Sequence, residues 1–245
     1  MKFVSVHGLV AHSYRVGEQA LSMCVDGFAM EALPLVRLSY ELALTAHWIA
    51  QNIDGAEAVL NRDVQNRQAA IRTLANAQSA TLRSGSQDFP GADRELLQTS
   101  SQVQARNFEQ LCRDLEPGGA DAYAYYRLMS WYSHPSARII DSYVQPTPDN
   151  QGIAALRLDP ETLDANIWVH FLAYSFVWAG RALDFVDADR THRSELRDAA
   201  RSLDIPDVLK LSSEAIRRTA RAKQETRRAS WKGPRQKSFG ESFGV

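Results

Sequence analysis

An arginine and a histidine stand seven positions apart, Arg127 and His134, in the segment YYRLMSWYSHPS that spans residues 125–136. On a helix that spacing is about two turns, so both side chains face one way, with Ser130 and Trp131 between them. Histidine titrates near neutrality and can act as a general base. Arginine keeps its proton and can stabilise the added negative charge of a phosphorane. Together they carry the chemistry of an RNA-cleaving pair. The same residues also fit a plainer arrangement. His134 would then meet the terminal carbonyls of its helix, where a cation is favoured, and Arg127 would pair with a nearby carboxylate. Tyr123, Tyr125, Tyr126, Trp131 and Tyr132 could stack on bases, although such clusters more often form core or interface.

A second constellation lies in LPLVRLSYELALTAHWIA, residues 33–50. Apolar residues occupy nearly every side of this helical stretch, so it should be buried all round. Yet Arg37 and Glu41 sit in its middle at i and i+4, the spacing for a pair. A buried charge is costly unless it is paired or used. Two readings stay open: a buried salt bridge that fixes helix packing, or a polar pocket lined by Arg37 and Glu41. His47 and His170 read as core histidines. His7, His12 and His192 read as surface or helix-end residues.

Other chemistries lack their motifs. There is no Glu-x-x-His for a di-iron bundle, no His-Glu-x-x-His, no Gly-x-Gly-x-x-Gly, no Walker loop and no nucleophile elbow. The two cysteines, Cys24 and Cys112, form no Cys-x-x-Cys and suit a reducing cytosol. No cofactor or metal is expected, apart from an alternative in which Glu41 converges with His47 or His134 at a metal.

Helices must position these groups, because helical periodicity dominates the chain. The pattern predicts helices over residues 4–25, 29–52, 55–82, 92–115 and 121–133. Pro34 falls early in the second, where proline does least damage. Pro135 disfavours helical geometry at His134, so the fifth should end there. Residues 138–158 read as an irregular excursion with a hairpin near Asp149 and Asn150. Asp159-Pro160 then opens a sixth helix to about Asp187. The remainder is one helix, or two broken near Pro206, with disorder after Ser230. The expectation is an all-α fold: a single bundle of six to seven helices over residues 1–215 and a basic tail over 216–245.

The net charge of −1 hides an asymmetry. Residues 217–237 hold nine Lys or Arg against one acid, Glu225. That run could grip phosphates or form a solvated tail. The N-terminus lacks a signal-peptide pattern, and the longest apolar run, residues 167–180, is too short to span a bilayer. A cytoplasmic location follows, with no membrane partner.

Two resemblances add to this. The Arg-x-x-x-Glu of Arg37 and Glu41, with the Tyr126, Met129, Ser130, His134, Pro135 segment, resembles a set of uncharacterised bacterial all-helical proteins over about residues 5–190. The Arg127-to-His134 spacing, with six residues between, is similar to the motif of the HEPN superfamily, helical domains of toxin and antiphage systems. That resemblance implies a metal-independent ribonuclease working as a homodimer. His134 would deprotonate a ribose 2′-hydroxyl and Arg127 would stabilise the phosphorane, with Arg37, Glu41, Ser130 and Tyr126 supporting them; His134, at the end of its helix, is then expected to meet the buried Arg37 and Glu41 of the other. RNA would be the substrate. The alternative is a non-catalytic helical module that binds a cognate partner protein or a small ligand around Arg37 and Glu41.

Overall fold

A computed structural model describes residues 1–85, 90–149, 151–161 and 164–230, without the side chains of 226–230. Its helices in chain order are α1 (Lys2–Val25), α2 (Ala29–Gln51), α3 (Gly55–Ala75), α4 (Ala80–Ser84), α5 (Gln102–Arg106), α6 (Phe108–Arg113), α7 (Gly119–Ser133), α8 (Ala137–Ser142), α9 (Ala165–Val186), α10 (Arg193–Ser202) and α11 (Ser213–Ser230). Strands β1 (Leu115–Glu116) and β4 (Lys210–Leu211) pair antiparallel, as do β2 (Val144–Pro146) and β3 (Ile153–Leu156). The all-α bundle is therefore what the chain forms. Four short helices stand beside the expected long ones, and β2–β3 is the expected hairpin.

α2 is the central rod, because its sequence offers apolar side chains in most directions. Leu33, Val36, Tyr40, Leu44, Trp48 and Ile49 are all fully buried. Each such side chain contributes about 1.5–3 kcal/mol through removal from water. α1 and α9 pack along it. Small residues let α1 come close. Ser13 Oγ donates to the Ser39 carbonyl at 2.9 Å, and Ser39 Oγ donates back to the Ser13 carbonyl at 3.0 Å. One turn on, a Cβ on Gly17 would lie 2.4 Å from the Phe176 ring of α9. α9 supplies Trp168, Phe171, Leu172 and Trp178 to the same core.

α2 is not buried on every side, which corrects the all-round expectation. Glu31, Pro34 and Leu38 are exposed, and Arg37, Glu41, Leu42 and Thr45 are partly so. These positions recur every three or four residues and form one open stripe.

The expected helix over 92–115 does not form. Side chains from α3 and its N-terminus take the backbone bonds that a helix would need. Asn61 clasps Leu97, donating to its carbonyl and accepting its N–H, both at 2.8 Å. The Asp54 carboxylate accepts from the Ser100 N–H at 2.6 Å, the Ser100 hydroxyl at 2.8 Å and the Ser101 hydroxyl at 2.6 Å. Only α5 and α6 remain helical, and Asn107 separates them by capping the Glu109 and Gln110 N–H groups. The sixth long helix also starts later than expected. Asp164, not Asp159, caps it, through the Asn166 N–H at 3.0 Å. Upstream, Arg157 and Glu161 bind back through their N–H groups to Tyr143 and Ser142.

α11 runs across the expected boundary between the bundle, ending at residue 215, and the tail, starting at 216, and its first turns dock on the body. Ala215 and Thr219 are buried, and Arg218 grips Asp114 with two bonds, at 2.9 and 2.5 Å. The expected disorder after Ser230 lies outside the described residues, as does Asn150 of the hairpin turn.

Candidate functional site

The polar cluster forms where α7 crosses α2. Gly118, at φ +94°, turns the chain into α7, and Gly119 allows a close approach to α6. A Cβ on Gly119 would sit 2.1 Å from the Cys112 carbonyl oxygen. From that start, Tyr126 and Ser130 fall one turn apart on the side facing α2.

Arg37 meets them both. Its Nε donates to Ser130 Oγ at 3.1 Å, and a terminal nitrogen donates to the Tyr126 hydroxyl. Its Cζ stands 4.6 Å from the centre of the Tyr126 ring, within cation–π range. Ser130 donates in turn to the Tyr126 carbonyl at 2.8 Å. The fourth member, Glu41, lies 3.8 Å from the Arg37 guanidinium. The side chains of Arg37 and Glu41 keep 21 % and 25 % of their surface exposed. The pair is thus a loose, partly solvated ion pair, which departs from the buried salt bridge that was one of the two open readings. Arg37 spends its directional bonds on Ser130 and Tyr126 instead.

Arg127 and His134 are both exposed. α7 ends at Ser133, as Pro135 required, and His134 is extended at φ −125°, ψ 151°. Arg127 interacts with the Tyr123 hydroxyl, which also meets Glu109. Loss of solvent, then the Glu109 carboxylate, pushes that phenol up, while Arg127 opposes the shift. No contact joins His134 to Arg37 or Glu41 among the described residues, and this corrects the expected meeting. The two helices do meet, but through Ser130, one turn short of His134. Neither does His134 bind its own helix carbonyls, so the capped-end alternative also lacks its bond.

The aromatic cluster divides. Tyr132 is buried against Trp168, and Tyr126 packs on Phe108 with ring centres 4.4 Å apart. Trp131 and Tyr125 remain exposed, the former at 56 %.

His47 lies away from this site and fully buried. Its Nε2 accepts the Leu209 N–H at 3.1 Å, so its Nδ1 carries the proton donated to the Trp178 carbonyl at 3.1 Å. Burial above all, with the Arg181 charge adding, lowers its pKa to about 4. It is a structural histidine, as expected, whereas His170, also expected in the core, is exposed and bonds the Asn166 carbonyl of its own helix at 2.8 Å. Among the described residues no group of three or more His, Cys, Asp or Glu converges to hold a metal. Cys112 is buried, and burial first, then Glu41 and Glu109, pushes its thiol far up. It is no nucleophile.

Sequence reasoning missed Asp114. Its carboxylate accepts from Trp48 Nε1 at 3.0 Å and holds Arg218, 104 residues away. No local pattern announces such a pairing. It sets the basic helix α11 against the bundle, with Arg217, Arg221 and Lys223 exposed.

A family model described as "Family of unknown function (DUF5677)" matches residues 4–153, well over half of the chain and all six candidate residues. No curated protein and no solved structure gives a significant match. No helix among the described residues is long and apolar enough to cross a membrane.

Proposed function

For a chain that belongs to DUF5677, the reading has to come from the side chains, and we propose a metal-independent endoribonuclease of HEPN-like type, a toxin or antiphage effector. The observation that carries this reading is the way Arg37 holds α7. It fixes Tyr126 and Ser130, the residues flanking Arg127 and preceding His134, and leaves both of those side chains open to solvent. An RNA backbone can therefore reach both without displacing core.

In this mechanism His134 takes the proton from a ribose 2′-hydroxyl. The O2′ atom attacks the adjoining phosphorus, and the P–O5′ bond breaks. Arg127 stabilises the charge that grows on the non-bridging oxygens. The departing O5′ takes a proton from water, so the products are a 2′,3′-cyclic phosphate and a 5′-hydroxyl, and His134 returns its proton to solvent. Arg37, Glu41, Ser130 and Tyr126 are positioning residues, since they act through α7. Exposed Arg217, Arg221 and Lys223 on α11 add sequence-independent phosphate affinity. A homodimer would set two α7 faces together, in the cytoplasm. Purified protein with an RNA transcript tests this: His134→Ala should cut at least about 100-fold more slowly and melt unchanged.

A second reading is a non-catalytic module for a partner protein or small ligand. It is favoured by Glu41, which stays partly exposed and only loosely paired with Arg37. In that case Glu41→Gln would weaken binding, and His134→Ala would change nothing.

A further inference from the structure

The residues after His134 build a pocket that the mechanism above does not use. A cavity of about 310 Å³ is lined by Tyr132, Arg138, Asp141, Val144, Pro146 and Glu161, among others. That is the small end of ligand pockets, which run from roughly 300 to 1,000 Å³. It suits one flat ring system better than a folded polymer.

The lining has a definite hydrogen-bonding sense. Arg138 Nε donates to the Tyr132 hydroxyl at 3.1 Å, and its Cζ stands 5.7 Å from the centre of that ring. The guanidinium is thereby oriented, and its two terminal nitrogens have no hydrogen bond among the described residues. Asp141 lies within electrostatic reach of Arg138 and has no side-chain hydrogen bond among the described residues. Glu161 gives one oxygen to Arg157 at 2.6 Å, and its other oxygen has no hydrogen bond among the described residues. The lining therefore combines a guanidinium with unused donors, carboxylate acceptors, and the apolar side chains of Val144 and Pro146.

A matching ligand presents two adjacent acceptors to the arginine and two adjacent donors to a carboxylate. Among the four RNA bases only guanine has both. Its O6 and N7 accept, and its N1–H and N2–H groups donate. Adenine lacks the acceptor pair, and cytosine and uracil lack the donor pair. Unpaired bases are also the ones that proteins read on these edges in RNA. We propose that this pocket binds one unpaired guanine base. In its RNA form the proposal rests on the ribonuclease reading, and it would direct cutting to sites beside guanines. Tyr132 and Arg138 bracket His134 in the chain, which keeps pocket and base on one corner of the fold.

The test is calorimetric titration of the full chain with the 5′-monophosphates of guanosine, adenosine, cytidine and uridine, followed by mapping of cut sites on an RNA of mixed sequence. Guanosine monophosphate should bind at least tenfold tighter than the other three. Asp141→Asn and Arg138→Ala should each remove most of that preference, and Glu161→Gln provides a further variant on the exposed rim. Equal affinities, absent binding, or a preference that survives both Asp141→Asn and Arg138→Ala would overturn the pocket. RNA cut without guanine preference by a protein that ignores guanosine monophosphate sinks this proposal and leaves the ribonuclease standing. Selective guanosine monophosphate binding with no RNA cleavage does the reverse.

Discussion

Arg37 of α2 reaches across to α7 and donates to Ser130 at 3.1 Å, from the turn before His134. That one bond, with its companion to Tyr126, decides how the exposed face of α7 is presented. Arg37→Ala should cost about 1–3 kcal/mol, the range for losing hydrogen bonds from a charged donor at a partly buried site. Arg37→Lys should not restore it, because an ammonium cannot span Ser130 and Tyr126 as the planar fork does. Urea unfolding of the three proteins measures this directly.

Gly119 is needed for the same helix to start where it does. Gly119→Ala puts a methyl 2.1 Å from a backbone carbonyl, which cannot swing aside as a side chain would. A loss of at least about 1–3 kcal/mol is expected. Thermal melts compared with Gly8→Ala, where nothing lies within 4 Å, supply the control.

His47 gives the bundle an acid-sensitive lock. Its pKa falls from 6.5 to about 4 on folding. Between those values the unfolded chain takes up a proton that the folded one refuses, so stability is full above pH 6.5 and declines as pH falls toward 4. The loss approaches about 3 kcal/mol by pH 4. Asp54 adds to it only lower down. Burial works against its ionisation, but hydrogen bonds from Ser101 and Ser100 win and hold its carboxyl below 3.8. Urea midpoints at pH 7, 5.5 and 4.5 should show the decline, and His47→Gln should flatten it. An unchanged slope in that variant would remove His47 as the cause.

Asp114 and Arg218 should behave as one unit. Asp114 is almost wholly buried, so Arg218→Ala strands a carboxylate with Trp48 alone, at a cost of about 2–4 kcal/mol. Asp114→Asn should cost a similar amount, and the double variant little more than either single one. Additive losses in a double-mutant cycle would contradict the pairing.

The long helices were legible because their periodicity and breakers are local. Pro135 ended α7 at Ser133, and Asp26-Gly27 ended α1 at Val25. The open stripe of α2 was hidden, since an apolar sequence does not say which side lacks a neighbour. Residues 92–101 misled for a related reason. Their helical pattern was real, but Asn61 and Asp54 took the backbone bonds from elsewhere in the chain. Of the site, the Arg37–Glu41 spacing could be read directly, whereas Ser130, placed by spacing on the Arg127 face, turns with Tyr126 toward Arg37. Their joining could be anticipated only as helix meeting helix, and the expectation overshot by one turn, to His134. Asp114 with Arg218 was beyond reach, because a contact between distant residues leaves no trace in spacing.

Cleavage of a defined RNA in the presence of a metal chelator tests the central claim most directly. The parent should release fragments ending in 2′,3′-cyclic phosphate, and Arg127→Ala and His134→Ala should each slow release at least about 100-fold while melting like the parent. Cutting by His134→Ala at the parent's rate, or activity that vanishes with the chelator, would contradict it.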